Sequence, residues 1–166
     1  MSRLHRFLQL SSRHRFWLLQ LVVLSALAKL AIALIPLRHL ARYLGPAQQN
    51  IRLCVVATPA QLEKARSIGR LTAIMARITP WQSQCLVQVL AAKTLLAQQQ
   101  VPWVAHFGVR HEAGHVLKAH AWLTVGPDII VGRREHRTFA VVATYSPALL
   151  FRQPLPCAQT DFQTTK

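Results

Sequence analysis

The chain has 166 residues, of which 52% are hydrophobic and 15% are charged. This length fits one domain, or one domain with a short appendage, and the apolar content excludes an intrinsically disordered protein. There are 20 lysine and arginine residues against 5 acidic ones, which gives a net charge of +15. That charge fits a solvated basic surface, an acidic peptide partner or an anionic membrane surface. We do not expect nucleic acid as a partner, because the basic residues are spread along the chain and only 7% of residues are aromatic.

The N-terminal part of the chain contains an apolar stretch from Phe16 to Leu37 (residues 16–37) that is about long enough to span a bilayer. Lys29 lies inside it, both flanks are basic, and no small-residue cleavage site follows. The stretch predicts either a helix that packs on a cytoplasmic protein or leans toward a membrane, or a true membrane segment. Three cysteines, at positions 54, 85 and 157, are too few for a disulfide framework and favour a reducing cytoplasm.

Two further helices are predicted in the middle of the chain. Thr58 and Gln61 match a capping box, and Pro59 occupies the first helical position, so a helix begins here. Its apolar residues recur at helical spacing up to Thr79-Pro80. A second helix is predicted to begin near Ser83 to Cys85 and to end in a run of glutamines.

After the helices, the spacing of the apolar residues changes to a period of two. This alternation predicts strands over residues 101–109, 118–125, 129–132 and 138–145, with a tight turn at Gly126-Pro127. Two helices followed by a β-meander predict an α+β fold. We divide the chain into an N-terminal helical segment, a core and a tail, at residues 1–47, 48–153 and 154–166.

Residues 111–115 read His-Glu-Ala-Gly-His, which matches the H-E-x-x-H signature of zinc proteases. In that signature two histidines one helical turn apart bind the metal and the glutamate acts on water, and His120 offers a third ligand. The signature requires a helix, whereas strand-like alternation lies on both sides of this motif and glycines bracket it. We therefore expect a polar loop at His111, Glu112 and His115, and we keep a zinc hydrolase as the less favoured alternative.

A second constellation consists of Cys85 and His120. Cys85 lies at a predicted helix start, where unpaired backbone N–H groups and the helix dipole favour the thiolate. His120 lies in a predicted strand, with Lys118, Trp122 and Thr124 on the same face. A nucleophile at a helix start beside a base on a neighbouring strand is typical of cysteine proteases and transglutaminases. A core cysteine and a satisfied histidine show the same spacing, so the pattern alone leaves both interpretations open.

Three segments of the chain, in this order and spacing, resemble the leader peptidases of lasso-peptide biosynthesis. They are Trp-Gln-Ser-Gln-Cys-Leu-Val-Gln-Val at residues 81–89, Phe-Gly-Val-Arg at 107–110, and Ala-His-Ala-Trp at 119–122, followed by Gly126 and an apolar strand to Gly132. The leucine-rich lead-in that ends in residues 36–45 is also similar to that family, so the resemblance covers most of residues 16–145. It implies a transglutaminase-like, papain-related core in which the nucleophile helix packs on an antiparallel sheet.

The resemblance implies a cytoplasmic cysteine protease that removes the leader from a ribosomally made precursor peptide and frees the core peptide's amine for ring closure. Cys85 would be the nucleophile and His120 the general base. Residues 1–47 are leucine- and arginine-rich helix rather than a small β-rich domain, which implies a small companion protein for leader recognition. A macrolactam-forming cyclase would act downstream, and we expect no metal and no other cofactor.

The third member of the catalytic triad is left open by the resemblance. Family members with a complete triad carry an aspartate about twelve residues after the histidine, where this chain has Gly132. A hairpin about the predicted turn places His120 roughly opposite residue 134 and leaves Asp128 about 20 Å away. We therefore expect Glu135 or a backbone carbonyl, rather than Asp128, to orient His120.

Polar and basic residues near the predicted site allow two interpretations each. Gln82 and Gln84 are candidates for the oxyanion donor beside the Cys85 backbone N–H, and a solvated surface explains them equally well. Three arginines between residues 133 and 137 fit an acidic precursor or a solvated loop. The missing aspartate also keeps a second function open, a non-catalytic, membrane-associated scaffold with the same core.

Overall fold

A computed structural model describes residues 11–36, 39, 47–48, 55–81, 84–112, 116–134 and 136–147. These residues form three α-helices, α1 (Ser12–Leu34), α2 (Pro59–Ile78) and α3 (Cys85–Gln98). They also form five strands, β1 (Ala47–Gln48), β2 (Val104–His111), β3 (Leu117–Val125), β4 (Asp128–Val131) and β5 (Ala140–Tyr145), and a short 3₁₀ turn at His136–Thr138. All strand pairs are antiparallel, which confirms the predicted α+β fold.

The helix starts follow from local side-chain chemistry. The capping box of α2 is present, because the Thr58 side chain accepts from the Gln61 N–H and the Gln61 side chain accepts from the Thr58 N–H. In contrast, α3 begins after Gln84, whose side chain makes no capping hydrogen bond. The first N–H groups of α3 are therefore not capped by the preceding side chain, and they lie at the end where Cys85 is found.

The strand order of the sheet differs from the predicted meander. Strands β2, β3 and β4 do follow one another as a meander, but the order across the sheet is β1-β5-β2-β3-β4. Strand β5 thus returns to the far edge of β2 instead of pairing with β4, and the meander expectation is wrong for this strand. Apolar periodicity identified β5 as a strand, but it carries no information about which edge a strand joins.

The core lies between the helices and one face of the sheet. Helices α2 and α3 contact β4, α3 also contacts β3, and α1 packs on the other two helices. Large side chains with almost no solvent exposure fill this layer, among them Leu21, Ile68, Met75, Leu95, Leu96 and Leu123. Trp17, Leu18 and Leu21 of α1 belong to the same hydrophobic cluster as the α2 and α3 residues. The boundary at residue 47 between segment and core stays a prediction.

Helix α1 is the one helix in the described part of the chain that is long and apolar enough to cross a membrane. Helices with this length and composition occur as membrane anchors, as signal segments and as core helices of soluble proteins. Here one side of the helix is packed against the domain, with Trp17, Leu18, Leu21, Ser25 and Ala28 buried. The contacts of α1 are therefore those of a helix that lies along the domain surface.

Candidate active site

A cleft of about 740 Å³ opens between α2, the start of α3 and the ends of strands β3 and β4. Both residues predicted to be catalytic, Cys85 and His120, line it. Other lining residues include Gln88 of α3, Lys118 of β3 and, from further parts of the chain, Thr72, Gly132, Arg134 and Phe139. The fold thus brings a helix start and a strand, well separated in sequence, to one concave surface.

Cys85 is the first residue of α3 and is a free, half-buried thiol. The N-terminus of a helix carries a partial positive charge from its unpaired N–H groups, and this charge stabilises a thiolate. Gln84, the residue before it, is exposed and also lines the cleft. Gln82, the other candidate oxyanion donor, lies outside the described residues, as do Cys54 and Cys157.

The imidazole of His120 is held by the backbone. Its Nε2 lies 3.0 Å from the carbonyl oxygen of Gly132. Because a carbonyl oxygen only accepts hydrogen bonds, Nε2 carries a proton, and Nδ1 is the ring nitrogen left to accept one. The ring is further fixed by Phe139, with centroids 5.1 Å apart, and by Trp122, with centroids 6.0 Å apart. A neutral histidine with a free Nδ1 lone pair is the form that a general base needs.

Gly132 combines two features that exclude a side chain. Its φ is +80°, in the region that favours glycine, and a Cβ atom built on it would lie 2.7 Å from the backbone oxygen of Ala121. An aspartate at this position would meet both the strained backbone and this contact. The position at which the resembling family carries its aspartate therefore supplies a carbonyl oxygen to His120 in this chain.

Asp128, one of the two acids considered for orienting His120, has a different partner. Asp128 opens β4, and its carboxylate accepts from Arg66 Nε at 2.7 Å, which links the hairpin to α2. Glu135 lies outside the described residues. Of the groups expected to orient His120, a backbone carbonyl is the one for which a contact is observed.

Cys85 and His120 both line the cleft, but these two described residues form no hydrogen bond with each other. Nucleophile and base are often further apart in free enzymes and approach when substrate binds. The arrangement thus supplies a thiol at a helix N-terminus and an oriented base on one surface.

The face of the sheet that carries His120 is covered by aromatic rings. His106 stacks on Trp122 with centroids 5.4 Å apart, and its Nε2 lies 3.0 Å from Thr124 Oγ1. Burial, helped by the nearby His136, lowers the pKa of His106 to about 4, so its ring is neutral at neutral pH. Phe139 is buried between Arg110, whose Cζ lies 4.9 Å from the ring centroid, and His120.

Sequence reasoning did not identify Phe139 as part of the site. The one local signal was an aromatic residue inside the strand predicted over residues 138–145, which is too common to indicate a neighbour of the candidate site. The position opposite His120 on β2 is Gly108, and a Cβ there would lie 2.8 Å from Phe139 Cβ. A glycine at position 108, opposite His120, was thus the sequence signal that the side chain of another residue, Phe139, packs closely against this strand.

The His-Glu-x-x-His segment does not lie on a helix where it is described. His111 is the last residue of β2, and the Glu112 carboxylate accepts from Arg110 at 2.7 Å and from Lys118 at 3.3 Å. These hydrogen bonds lower the pKa of Glu112. His115 lies outside the described residues, and among those described no group of three potential metal ligands occurs. The observed strand at His111 contradicts the helical geometry that the zinc alternative requires.

Comparison with known proteins gives one family and no individual relative. The chain matches the family described as the transglutaminase-like superfamily over residues 31–144, which is more than half of its length. No curated protein and no solved structure matches it. The matched region contains α2, α3, the sheet from β2 to β4, and with them Cys85, His120 and the cleft. The chain therefore belongs to the transglutaminase-like superfamily.

Proposed function

We propose that this protein is a cysteine peptidase that removes the leader from a ribosomally made lasso-peptide precursor. The observation that carries the proposal is one cleft in a transglutaminase-like domain. It is lined both by a thiol at a helix N-terminus and by a histidine with an oriented ring. The resemblance of residues 81–89, 107–110 and 119–122 to lasso leader peptidases supports the substrate class. Transfer of the activity from family to chain rests on the two side chains, not on the fold.

In the proposed reaction Cys85 Sγ attacks the carbonyl carbon of the scissile peptide bond. His120 accepts the thiol proton on Nδ1 and then donates it to the leaving amine, so that the core peptide departs with a free N-terminus. The oxyanion is stabilised by the Cys85 backbone N–H together with the side chain of Gln84 or Gln82. Water, deprotonated by His120, then hydrolyses the thioester between Cys85 and the leader.

The basic rim of the cleft supports a peptide substrate with acidic character. Lys118, Arg133 and Arg134 line the cleft, and Lys118 is paired with Glu112. No ion pair is recorded for Arg133 or Arg134 among the described residues. We infer that a small leader-binding companion protein presents the precursor, and that a macrolactam-forming cyclase takes up the freed amine.

The direct test is cleavage of the precursor encoded beside this gene, followed by mass spectrometry. The reactions use the wild-type chain, Cys85→Ala and His120→Ala, with and without the neighbouring small protein, and with EDTA as a control for metal dependence. We expect cleavage by the wild type that survives EDTA and is lost in both variants. Cleavage that survives Cys85→Ala and stops in EDTA would contradict the thiol mechanism.

A non-catalytic scaffold is the second candidate function. It is favoured by Gly132 at the position of the family's aspartate and by the absence of a recorded Cys85–His120 hydrogen bond. The reaction of iodoacetamide with the three cysteines separates the two functions, because a nucleophile at a helix N-terminus reacts faster than an ordinary thiol. Labelling of Cys85 no faster than Cys54 or Cys157, together with no cleavage under any condition, would favour the scaffold.

A further inference from the structure

Helix α1 has two opposite apolar faces, and in the described part of the chain just one of them is covered. The inner face is buried against the domain. On the outer face six large apolar side chains are each between 55% and 72% exposed. We call these six residues the outer stripe: Phe16, Leu19, Val23, Leu27, Leu30 and Leu34.

The outer stripe is continuous along the helix. Its members are spaced three or four residues apart, which places them on one line about 27 Å long at the rise of an α-helix. Contiguous exposed apolar surface of this kind marks a contact site for a partner or a membrane. A helix that is apolar on all sides is normally covered on all sides, so the outer stripe needs an occupant.

The charge around the outer stripe indicates the nature of that occupant. The charged residues of α1 are Arg13, Arg15 and Lys29, and the helix contains no acid. Elsewhere in the described residues each carboxylate is already in an ion pair with arginine or lysine, namely Glu63, Glu112 and Asp128. With a net charge of +15, the protein offers positive charge to whatever covers the stripe.

We propose that the outer stripe docks this protein on the surface of an anionic lipid bilayer, with α1 lying in the plane of the interface. In interfacial helices, apolar side chains enter the boundary of the acyl chains, and neighbouring basic residues contact the anionic headgroups. Spanning the bilayer would remove Trp17, Leu18 and Leu21 from the core they share with α2 and α3. A second copy is disfavoured as the occupant, because two chains of +15 repel each other.

The proposal is independent of the proposed peptidase activity. The superfamily match begins at residue 31, after most of the outer stripe. Cleavage of a soluble precursor by outer-stripe variants should therefore equal that of the wild type, and failure of one proposal leaves the other in place.

The test is flotation of the full-length protein with lipid vesicles. Vesicles of phosphatidylcholine containing phosphatidylglycerol are compared with vesicles of phosphatidylcholine alone, at low and high salt. The outer-stripe variant is Leu19→Gln with Leu27→Gln. The matched control is Val56→Gln with Ile78→Gln, which changes two exposed apolar residues outside the stripe. Circular dichroism melts verify folding, and Val23→Gln alone serves if the double variant does not fold.

We expect the wild type and the matched control to float with the anionic vesicles and to lose binding at high salt or without phosphatidylglycerol. The outer-stripe variant should lose at least about tenfold in bound fraction. Wild-type protein that stays in solution with anionic vesicles would overturn the proposal, because a stripe that enters the bilayer surface carries the protein into the floating fraction. A dimer of the wild type that dissociates in the outer-stripe variant would also overturn it and assign the stripe to a second copy.

Discussion

His120 is oriented by an uncharged group. The Gly132 carbonyl fixes which nitrogen carries a proton, but unlike a carboxylate it brings no negative charge to stabilise the imidazolium of the proposed reaction. In the proposed reaction Cys85 and His120 would therefore act as a cysteine–histidine dyad without a carboxylate. Such a dyad depends on the position of one backbone oxygen, and that position depends on a glycine.

Substitution of Gly132 by alanine should destabilise the fold and disturb His120. The matched control is Gly126→Ala, because Gly126 also has a positive φ, +54°, but a Cβ there would meet Leu62 Cδ2 at 3.4 Å, an ordinary contact. We expect a loss of about 1 kcal/mol in the free energy of unfolding for Gly126→Ala and at least about 3 kcal/mol for Gly132→Ala. Urea unfolding of the three proteins measures both values.

The same reasoning gives an expectation for Gly132→Asp. Lasso leader peptidases with a complete triad carry an aspartate at this position. Introducing it here should not raise the rate of precursor cleavage, because the side chain has no room beside Ala121 and Trp122. An increase in the rate of precursor cleavage in this variant would contradict the assignment of the carbonyl as the partner of His120.

His106 should make the fold sensitive to mild acid. Its pKa is lowered from about 6.5 to about 4, so the unfolded chain takes up a proton at higher pH than the folded chain. Stability is therefore complete above pH 6.5 and is lost as the pH falls toward 4, by about 3 kcal/mol. The check is the free energy of unfolding at several pH values for the wild type and His106→Gln. Equal pH dependence in the two proteins would show that His106 is not the group responsible.

Helix α3 contains a lysine, Lys93, in its buried part. Lys93 is 5% exposed, and desolvation lowers its pKa from 10.5 to about 8, while Trp103 lies 5.5 Å away in a cation–π contact. Because the unfolded chain holds the proton more tightly, burial of Lys93 costs stability below pH 8, and this cost fades as the pH rises from 8 to 10.5.

Replacement of Lys93 by methionine should thus stabilise the protein at pH 7. Thermal unfolding of the wild type and Lys93→Met should show a higher melting temperature for the variant, with an advantage that shrinks between pH 8 and pH 10.5. A variant that melts below the wild type at pH 7 would mean that the contacts of the charged amine outweigh its desolvation.

The elements that sequence could predict are those defined by neighbouring residues. The start of α2 was predictable because its capping box joins residues three apart, and the start of α3 at Cys85 followed from the same local reasoning. Strand β3 and its turn were predictable from alternation and from Gly126-Pro127. The edge that β5 joins was not, since pairing between β2 and β5 depends on packing by residues far apart in the chain.

The candidate site shows the same division. Cys85 and His120 were predictable from residue type, element and family resemblance, and both line one cleft. The carbonyl of Gly132 was predictable only as one open alternative, because a backbone oxygen leaves no mark in a sequence. The ring of Phe139 reaches His120 through a long-range crossing that no local pattern encodes.

For the molecule as a whole, α1 is part of the core. Deletion of residues 1–36 should therefore abolish cooperative unfolding, although it leaves nearly all of the superfamily match in place, because Trp17, Leu18 and Leu21 are removed from the shared cluster. Deletion of residues 1–10 is the control. Differential scanning calorimetry distinguishes the outcomes, and a wild-type transition in the longer deletion would show that the core does not need this helix.

The distance along the chain between Cys85 and Gly132 sets the time at which a newly made chain completes its candidate site. Cys85 leaves the ribosome well before Gly132 and Phe139, and at ordinary rates of synthesis the interval is a few seconds. Until β5 arrives, one edge of β2 stays open, and an open edge is a template for pairing with other chains. The Cys85 thiol is thus made before the Gly132 carbonyl that orients His120, so the candidate site is complete only after both residues have left the ribosome.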